Sequence, residues 1–555
     1  MSQFSGTTVA PRDPERDQQT LDAIVAAVQS DMDVAVVLSE QALADGLQHP
    51  IILTIIADRL GDEGRFDEAM GLLNRAAGLD PTDVYTWNAV GLCLAKQDLR
   101  REAANAFDHA LKIDPQFPQA HFNLGAALER MGDHNGARHH YEQALRFGPD
   151  YPDPMGGLAS LAVRRGEADV AKDFALRALA IEPNQPTALA ALANIELNEK
   201  NFAGAEQRLR ALMNNPGFDR FDRPTVHCML GDALDGQGRT REAFAEFQAG
   251  KAGFRAAYGP RYEVPGRENQ LQLAQRLTAY FDNAPKGAWS SPAPLAAGED
   301  SPARGHAFLV GFPRTGTTLL EHVLASHPDM INIDERATLR VIEDDYLGDD
   351  AALLRLANRS PEDAQANRMI YWDRIHELGI ATETRVVVDK MPLYSVKLPI
   401  IAKLFPGVKI LLSERDPRDV VLSCFRRPFQ MNAGMFQFVT LHGAAVYYDA
   451  VMTLIETYRR TLPLDLHVVR YESLVADFEG QMRTTCAFLG VEWNEAMIDF
   501  AAKARQRQIR TPSAPQVREG LYATGAGQWR RYARELEPIM PILAPWVDRM
   551  GYVAE

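Results

Sequence analysis

The chain is poor in cysteine, and its four cysteines do not cluster. Cys93, Cys228, Cys424 and Cys486 are scattered, with no CxxC pair and no histidine group nearby. That spacing argues against a zinc site and a disulfide framework, and it fits a reducing, cytoplasmic compartment. No stretch approaches the ~20 apolar residues of a bilayer-crossing helix. Met1–Thr20 is polar and charged where a leader peptide would be apolar. Positive charge is also in deficit: 59 Lys and Arg against 74 Asp and Glu give a formal net charge of −15. Such a surface disfavours nucleic acid and anionic lipid as general partners, yet leaves room for one local basic pocket. At 555 residues the chain exceeds one ordinary core, so at least two domains are expected.

The first half is periodic. Pro81, Pro115, Pro149 and Pro183 are 34 residues apart, and Pro216 follows after 33. Ala69, Ala103, Ala137, Ala171 and Ala205 keep the same period, as do Ala76, Ala110, Ala144 and Ala178, and Gly91 with Gly125. Phe107 and Tyr141 each stand four residues beyond an alanine of the first ladder. Small residues let antiparallel helices approach, large ones fill the gap, and proline stops the second helix. The pattern resembles the tetratricopeptide repeat and predicts six or seven helix pairs between Thr20 and Lys251. Solenoids of this kind expose a groove suited to peptides; a purely stabilising or dimerising role is the alternative.

The second half alternates short β-rich runs (307–310, 330–333, 386–388, 409–412, 466–469) with helical patterns, which predicts a mostly parallel sheet covered on both faces. After the first run comes Gly311-Phe-Pro-Arg-Thr-Gly-Thr-Thr318, then an apolar helix containing Leu319, Leu320, Val323 and Leu324. Strand, glycine loop and helix N-terminus together make an anion site. The glycine spacing equals that of a Walker A loop, but Thr317 stands where the lysine belongs, which argues against ATP or GTP hydrolysis. Arg314 supplies a cation by another route. Arg415 ends the run at 409–413 and Ser423 follows eight residues later; an arginine fork and a hydroxyl suit a second phosphate.

Pro313-Arg-Thr-Gly-Thr-Thr318 with Ser326-His-Pro328, and the Arg415…Ser423 run, resemble the sulfotransferases, with the tyrosylprotein branch nearest, over roughly Arg304–Tyr552. The resemblance implies an N-terminal tetratricopeptide α-solenoid followed by a P-loop-like α/β sulfotransferase domain. The expected boundaries are a flexible 1–19, repeats over 20–257, a connecting helix and linker over 258–304, and the catalytic domain over 305–555. It implies 3′-phosphoadenosine 5′-phosphosulfate as donor, 3′-phosphoadenosine 5′-phosphate as product, and no metal, since Arg and Lys supply the positive charge.

By the same resemblance, Arg314, Thr315, Gly316, Thr317 and Thr318 hold the sulfuryl and 5′-phosphate, and Arg415 and Ser423 hold the 3′-phosphate. Tyr471 matches a residue beside the adenine, or is a core aromatic. Glu335 matches the catalytic base, Lys390 the catalytic lysine, and Ser513 a lid serine, with Thr511 as the alternative. Gln528 stands where some members keep a lysine, so Arg530 or Arg531 is a candidate substitute. The bland reading of Glu335 is an ion pair with Arg336 or Arg340. His327 is read as a turn residue and His442 as a core residue, not as bases. The acceptor implied is a tyrosine of a peptide or protein, docked through the repeat groove. A carbohydrate or lipid hydroxyl, or an inactive tetratricopeptide scaffold, are the competing readings. A homodimer is left open.

Overall fold

The computed structural model describes residues 13–215, 218, 222–285, 287–290, 301–505 and 525–553. The chain divides into two compact units, Met1–Ile195 and Glu196–Glu555. The first is built from helical hairpins: Pro14–Ser30 with Met32–Ala44, Pro50–Asp62 with Phe66–Leu79, Val84–Lys96 with Arg100–Ile113, Pro118–Met131 with His134–Phe147, and Pro152–Arg165 with Ala168–Ile181. Four second helices, at Leu79, Ile113, Phe147 and Ile181, stop two residues before the periodic prolines. The alanine ladders are fully buried between the helices. A Cβ on Gly91 would come within 2.4 Å of the Phe107 ring, and one on Gly125 within 2.7 Å of Tyr141. The glycine is therefore the socket into which the aromatic of the next helix seats.

The second unit continues with helices Phe202–Met213, Arg223–Gly236, Thr240–Tyr262 and Gln270–Asn283. Beyond them lie five strands: β1 (Gly305–Gly311), β2 (Met330–Asp334), β3 (Val386–Lys390), β4 (Lys409–Glu414) and β5 (Asp465–Arg470). Their order is β2-β3-β1-β4-β5, and all pairings are parallel. The β-rich runs of the sequence are these strands, lengthened by one to three residues. Residues 307–310, 386–388 and 410–412 are buried, as expected of strands covered on both faces. Because every strand runs the same way, β1, β2, β3 and β4 deliver Gly311, Asp334, Lys390 and Glu414 to one edge of the sheet, where α/β proteins bind ligands.

Candidate active site

The loop between β1 and helix Thr317–Leu324 is held open by backbone geometry. Arg314 and Gly316 have φ of 74° and 105°, a region L-residues other than glycine seldom occupy. At Gly316 a Cβ would also come 3.0 Å from the Tyr471 ring. Ser413 donates to Thr315 O at 2.9 Å and Ser395 donates to Gly311 O at 3.1 Å, so β4 and the turn after β3 pin the loop from both sides. Thr315, Thr317 and Thr318 are buried around it.

On one side of the loop stand the two arginines. Arg314 Nε donates to Ser423 Oγ at 2.9 Å, and Arg415 donates to Arg314 O at 3.1 Å and to Gly525 O. Ser423 lies on helix Pro417–Arg426. The Arg415 guanidinium sits 4.8 Å from the centre of the Tyr471 ring, and its Nε is buried without a partner among the described residues. Tyr471 is buried, so here it shapes the loop and supports Arg415. An unpartnered buried guanidinium N–H beside a helix N-terminus and a glycine loop fits an anionic group such as a phosphate.

On the other side is a lysine surrounded by carboxylates. Parallel pairing sets Asp334 of β2 directly beside Lys390 of β3. Lys390 Nζ lies 2.8 Å from Asp334 Oδ1, 2.7 Å from Glu335 Oε1 and 2.9 Å from Glu321 Oε2, the last without hydrogen-bond alignment. Glu335 is fixed by its backbone N–H, which donates to Lys390 O at 3.0 Å, and it too has positive φ, 42°. Just beyond it, Thr338 donates to buried Asp389 at 2.6 Å. Glu335 thus pairs with Lys390, a partner the bland reading did not name.

The Lys390 side chain is 0% exposed, Glu321 5%, and Glu335 34%, so Glu335 is the member a second substrate reaches most easily. Burial disfavours the Lys390 ammonium, but Glu321, Glu335 and Asp334 outweigh it and raise its pKa. Three carboxylates on one ammonium leave two in excess. Glu321, the most buried, takes the proton: burial first, then Asp334 and Glu335, push its pKa up to about 8 against the pull of Lys390.

Glu321 was missed in the sequence, although a single carboxylate inside Leu319-Leu-Glu-His-Val-Leu324 is a signal that could have found it. His442 corrects an expectation: it is exposed, in the first turn of helix Leu441–Thr461, not in the core. His327 is the turn residue expected, with its two ring nitrogens engaged by Glu492 O and the Asp329 N–H at 2.8 and 3.0 Å. Arg531 is committed to Asp235, 2.7 Å away. Ser513 and Thr511 lie outside the described residues. Among the described residues no helix is long and apolar enough to cross a membrane, and no group of three or more His, Cys, Asp or Glu could hold a metal ion.

Comparison with known proteins gives each half of the chain a class. Residues 307–495 match the model of the Sulfotransferase family, and residues 101–132 and 128–195 match tetratricopeptide-repeat models. The C-terminal half carries a sulfotransferase-family domain and the N-terminal half tetratricopeptide repeats.

Among individual relatives, an uncharacterized protein of Aquifex aeolicus is 26% identical over 264 residues, covering 44% of this chain and 33% of that protein. Protein-tyrosine sulfotransferase 1 of Danio rerio is 25% identical over 277 residues, covering 44% of this chain and 71% of that one. The chain thus spans about a third of the Aquifex protein it matches. The sulfotransferase domain from the Synechococcus PCC 7002 olefin synthase is 24% identical, with a TM-score of 0.32, covering 44% of this chain and 90% of that domain.

Proposed function

We propose that the C-terminal domain transfers a sulfuryl group from 3′-phosphoadenosine 5′-phosphosulfate to an acceptor hydroxyl, a tyrosine of a peptide or protein. The observation that carries the reading is the placement of two complementary groups on either side of one glycine loop. Arg314, Arg415 and Ser423 meet on one side, and Glu335 and Lys390 on the other. The match to the Sulfotransferase family supports the reaction class. The likeness to protein-tyrosine sulfotransferases supports the phenol acceptor. The tetratricopeptide repeats support an acceptor presented as peptide.

The donor, when bound, brings an activated sulfuryl group on its 5′-phosphate. The chain's own residues then act at stated atoms. Glu335 Oε takes the proton from the acceptor hydroxyl as its oxygen attacks sulfur. The Lys390 ammonium offsets the charge that develops on the departing phosphate oxygen. Arg314 and the Gly316–Thr318 backbone orient the sulfuryl and 5′-phosphate oxygens. Arg415 and Ser423 take the 3′-phosphate, and the Gly316–Tyr471 contact keeps the loop where these groups converge.

Calorimetric binding of 3′-phosphoadenosine 5′-phosphate against adenosine 5′-phosphate tests the donor. The bisphosphate is expected to bind at least tenfold more tightly, the usual worth of one charged hydrogen-bonded contact. Equal affinities would refute the 3′-phosphate role of Arg415 and Ser423. Sulfate transfer from labelled donor to tyrosine peptides, with a sugar acceptor alongside, tests the acceptor. Transfer to the sugar alone would replace the tyrosine reading with the carbohydrate one.

A further inference from the structure

Helix Pro417–Arg426, which carries Ser423, is gripped at both ends by elements remote in sequence. At its start, Asp419 accepts from the Gly527 and Trp529 N–H groups at 2.6 and 2.8 Å, and the Arg418 guanidinium lies 3.7 Å from the Trp529 ring centre. Segment 525–532, whose Gly525 O accepts from Arg415, is therefore docked along the helix.

At the other end stands the helical hairpin Arg223–Gly236 and Thr240–Tyr262. Asp235 there is buried and is met by Arg426 at 2.7 Å, Arg531 at 2.7 Å and the Tyr532 hydroxyl at 2.6 Å. Asp232 receives Arg426 at 3.1 Å and Arg427 at 2.7 Å. Lys251 of the same hairpin donates to Cys424 O and Arg427 O, at 3.5 and 2.8 Å, satisfying carbonyls at the helix's carboxyl end. Apolar packing alone would join these elements at less desolvation cost. Buried ion pairs add direction, since they hold only when donor and acceptor are in place.

We propose that Asp235 is a positioning residue for the 3′-phosphate side of the donor site. It binds the carboxyl end of the Ser423 helix and the end of segment 525–532 to one carboxylate, and so sets the separation at which Arg415 and Ser423 meet one anion. The inference rests on the donor reading above. It makes the 223–262 hairpin part of the donor-binding frame.

The test uses the full chain with Asp235→Asn, which keeps the shape and removes the charge, and Asp235→Glu, which keeps the charge. 3′-Phosphoadenosine 5′-phosphate and adenosine 5′-phosphate are the probes, with circular dichroism as the check of folding. Asp235→Asn is expected to weaken the bisphosphate about tenfold and the monophosphate much less. The donor KM should rise while kcat stays near the parent value, and Asp235→Glu should recover part of the loss.

A purely structural residue would lower stability without changing the ratio of the two affinities. An unchanged ratio in folded Asp235→Asn overturns the proposal, and so does equal weakening of both nucleotides. If Asp235→Asn does not fold, Tyr532→Phe removes one of the same bonds and reads the same ratio, with a fall expected and no change overturning the proposal. Failure of the donor reading is distinct: the parent protein itself would then not distinguish the two nucleotides.

Discussion

Replacing Glu321 with glutamine should make the protein's stability less sensitive to pH. Glu321 is buried in the Lys390 cluster with its pKa pushed up from 4.5 to about 8. A folded-state pKa above the unfolded one contributes stability that is complete below about pH 4.5 and is lost as pH rises through about 8. Each unit of separation is worth about 1.4 kcal/mol. Between pH 5 and pH 8 the parent should therefore lose on the order of 3 kcal/mol through this group alone.

Glutamine matches the protonated carboxyl in shape and does not titrate. The advantage of Glu321→Gln over the parent should widen by that amount across the interval. Asp389 is pushed up to about 7 by burial and slopes the same way, but it is present in both proteins and cancels in the difference. Urea unfolding at pH 5, 6, 7 and 8, followed by tryptophan fluorescence, measures the difference directly. Parallel curves with a constant offset would refute the argument. They would mean that Glu321 is ionised throughout and forms a simple ion pair with Lys390.

Glu335→Gln is expected to lower sulfate transfer about a hundredfold or more while leaving nucleotide affinity intact; near-normal turnover would remove Glu335 as the base. Of Ser513→Ala and Thr511→Val, the variant with the larger loss of kcat identifies the lid hydroxyl, with Ser513 expected. Phe107→Ala should destabilise the chain by about 3–5 kcal/mol in urea unfolding, because the buried ring fills the socket at Gly91 and its removal leaves a cavity. A cost under about 1 kcal/mol would show that the socket does not depend on that ring.

Elements with a strong local signature were legible in the sequence. The repeat phase, set by alanine ladders and closing prolines, marked where second helices stop, two residues before each of four prolines, since each repeat packs against its neighbours under the same rules. The three inner strands, β1, β3 and β4, announced themselves as short apolar runs because both faces of the sheet are covered there; β2 and β5, at the edges, are only partly buried and were legible from their place between helical patterns. Glu335 and Lys390 were found as candidates at strand ends, but their partnership was not, because it depends on the β2–β3 register, which no local pattern encodes. Glu321 was absorbed into the hydrophobic pattern around it. Asp235 was invisible for another reason: its partners, Arg426, Arg531 and Tyr532, are some 190 to 300 residues away along the chain. His442 was misjudged because an apolar helix can still begin at the surface, and it lies in the first turn.

The left-handed backbone at Arg314 and Glu335, φ 74° and 42°, has a consequence for how this protein would respond to selection. Each position holds a side chain where glycine would be more comfortable by about 1 kcal/mol or more. A search that rewarded heat resistance alone would be drawn to glycine at these two places, relaxing the chain while removing one cation and one carboxylate from the site. Improvement of robustness and retention of chemistry therefore pull against each other at known coordinates. A library meant to harden this protein should hold residues 314 and 335 constant and seek its gains in the repeats.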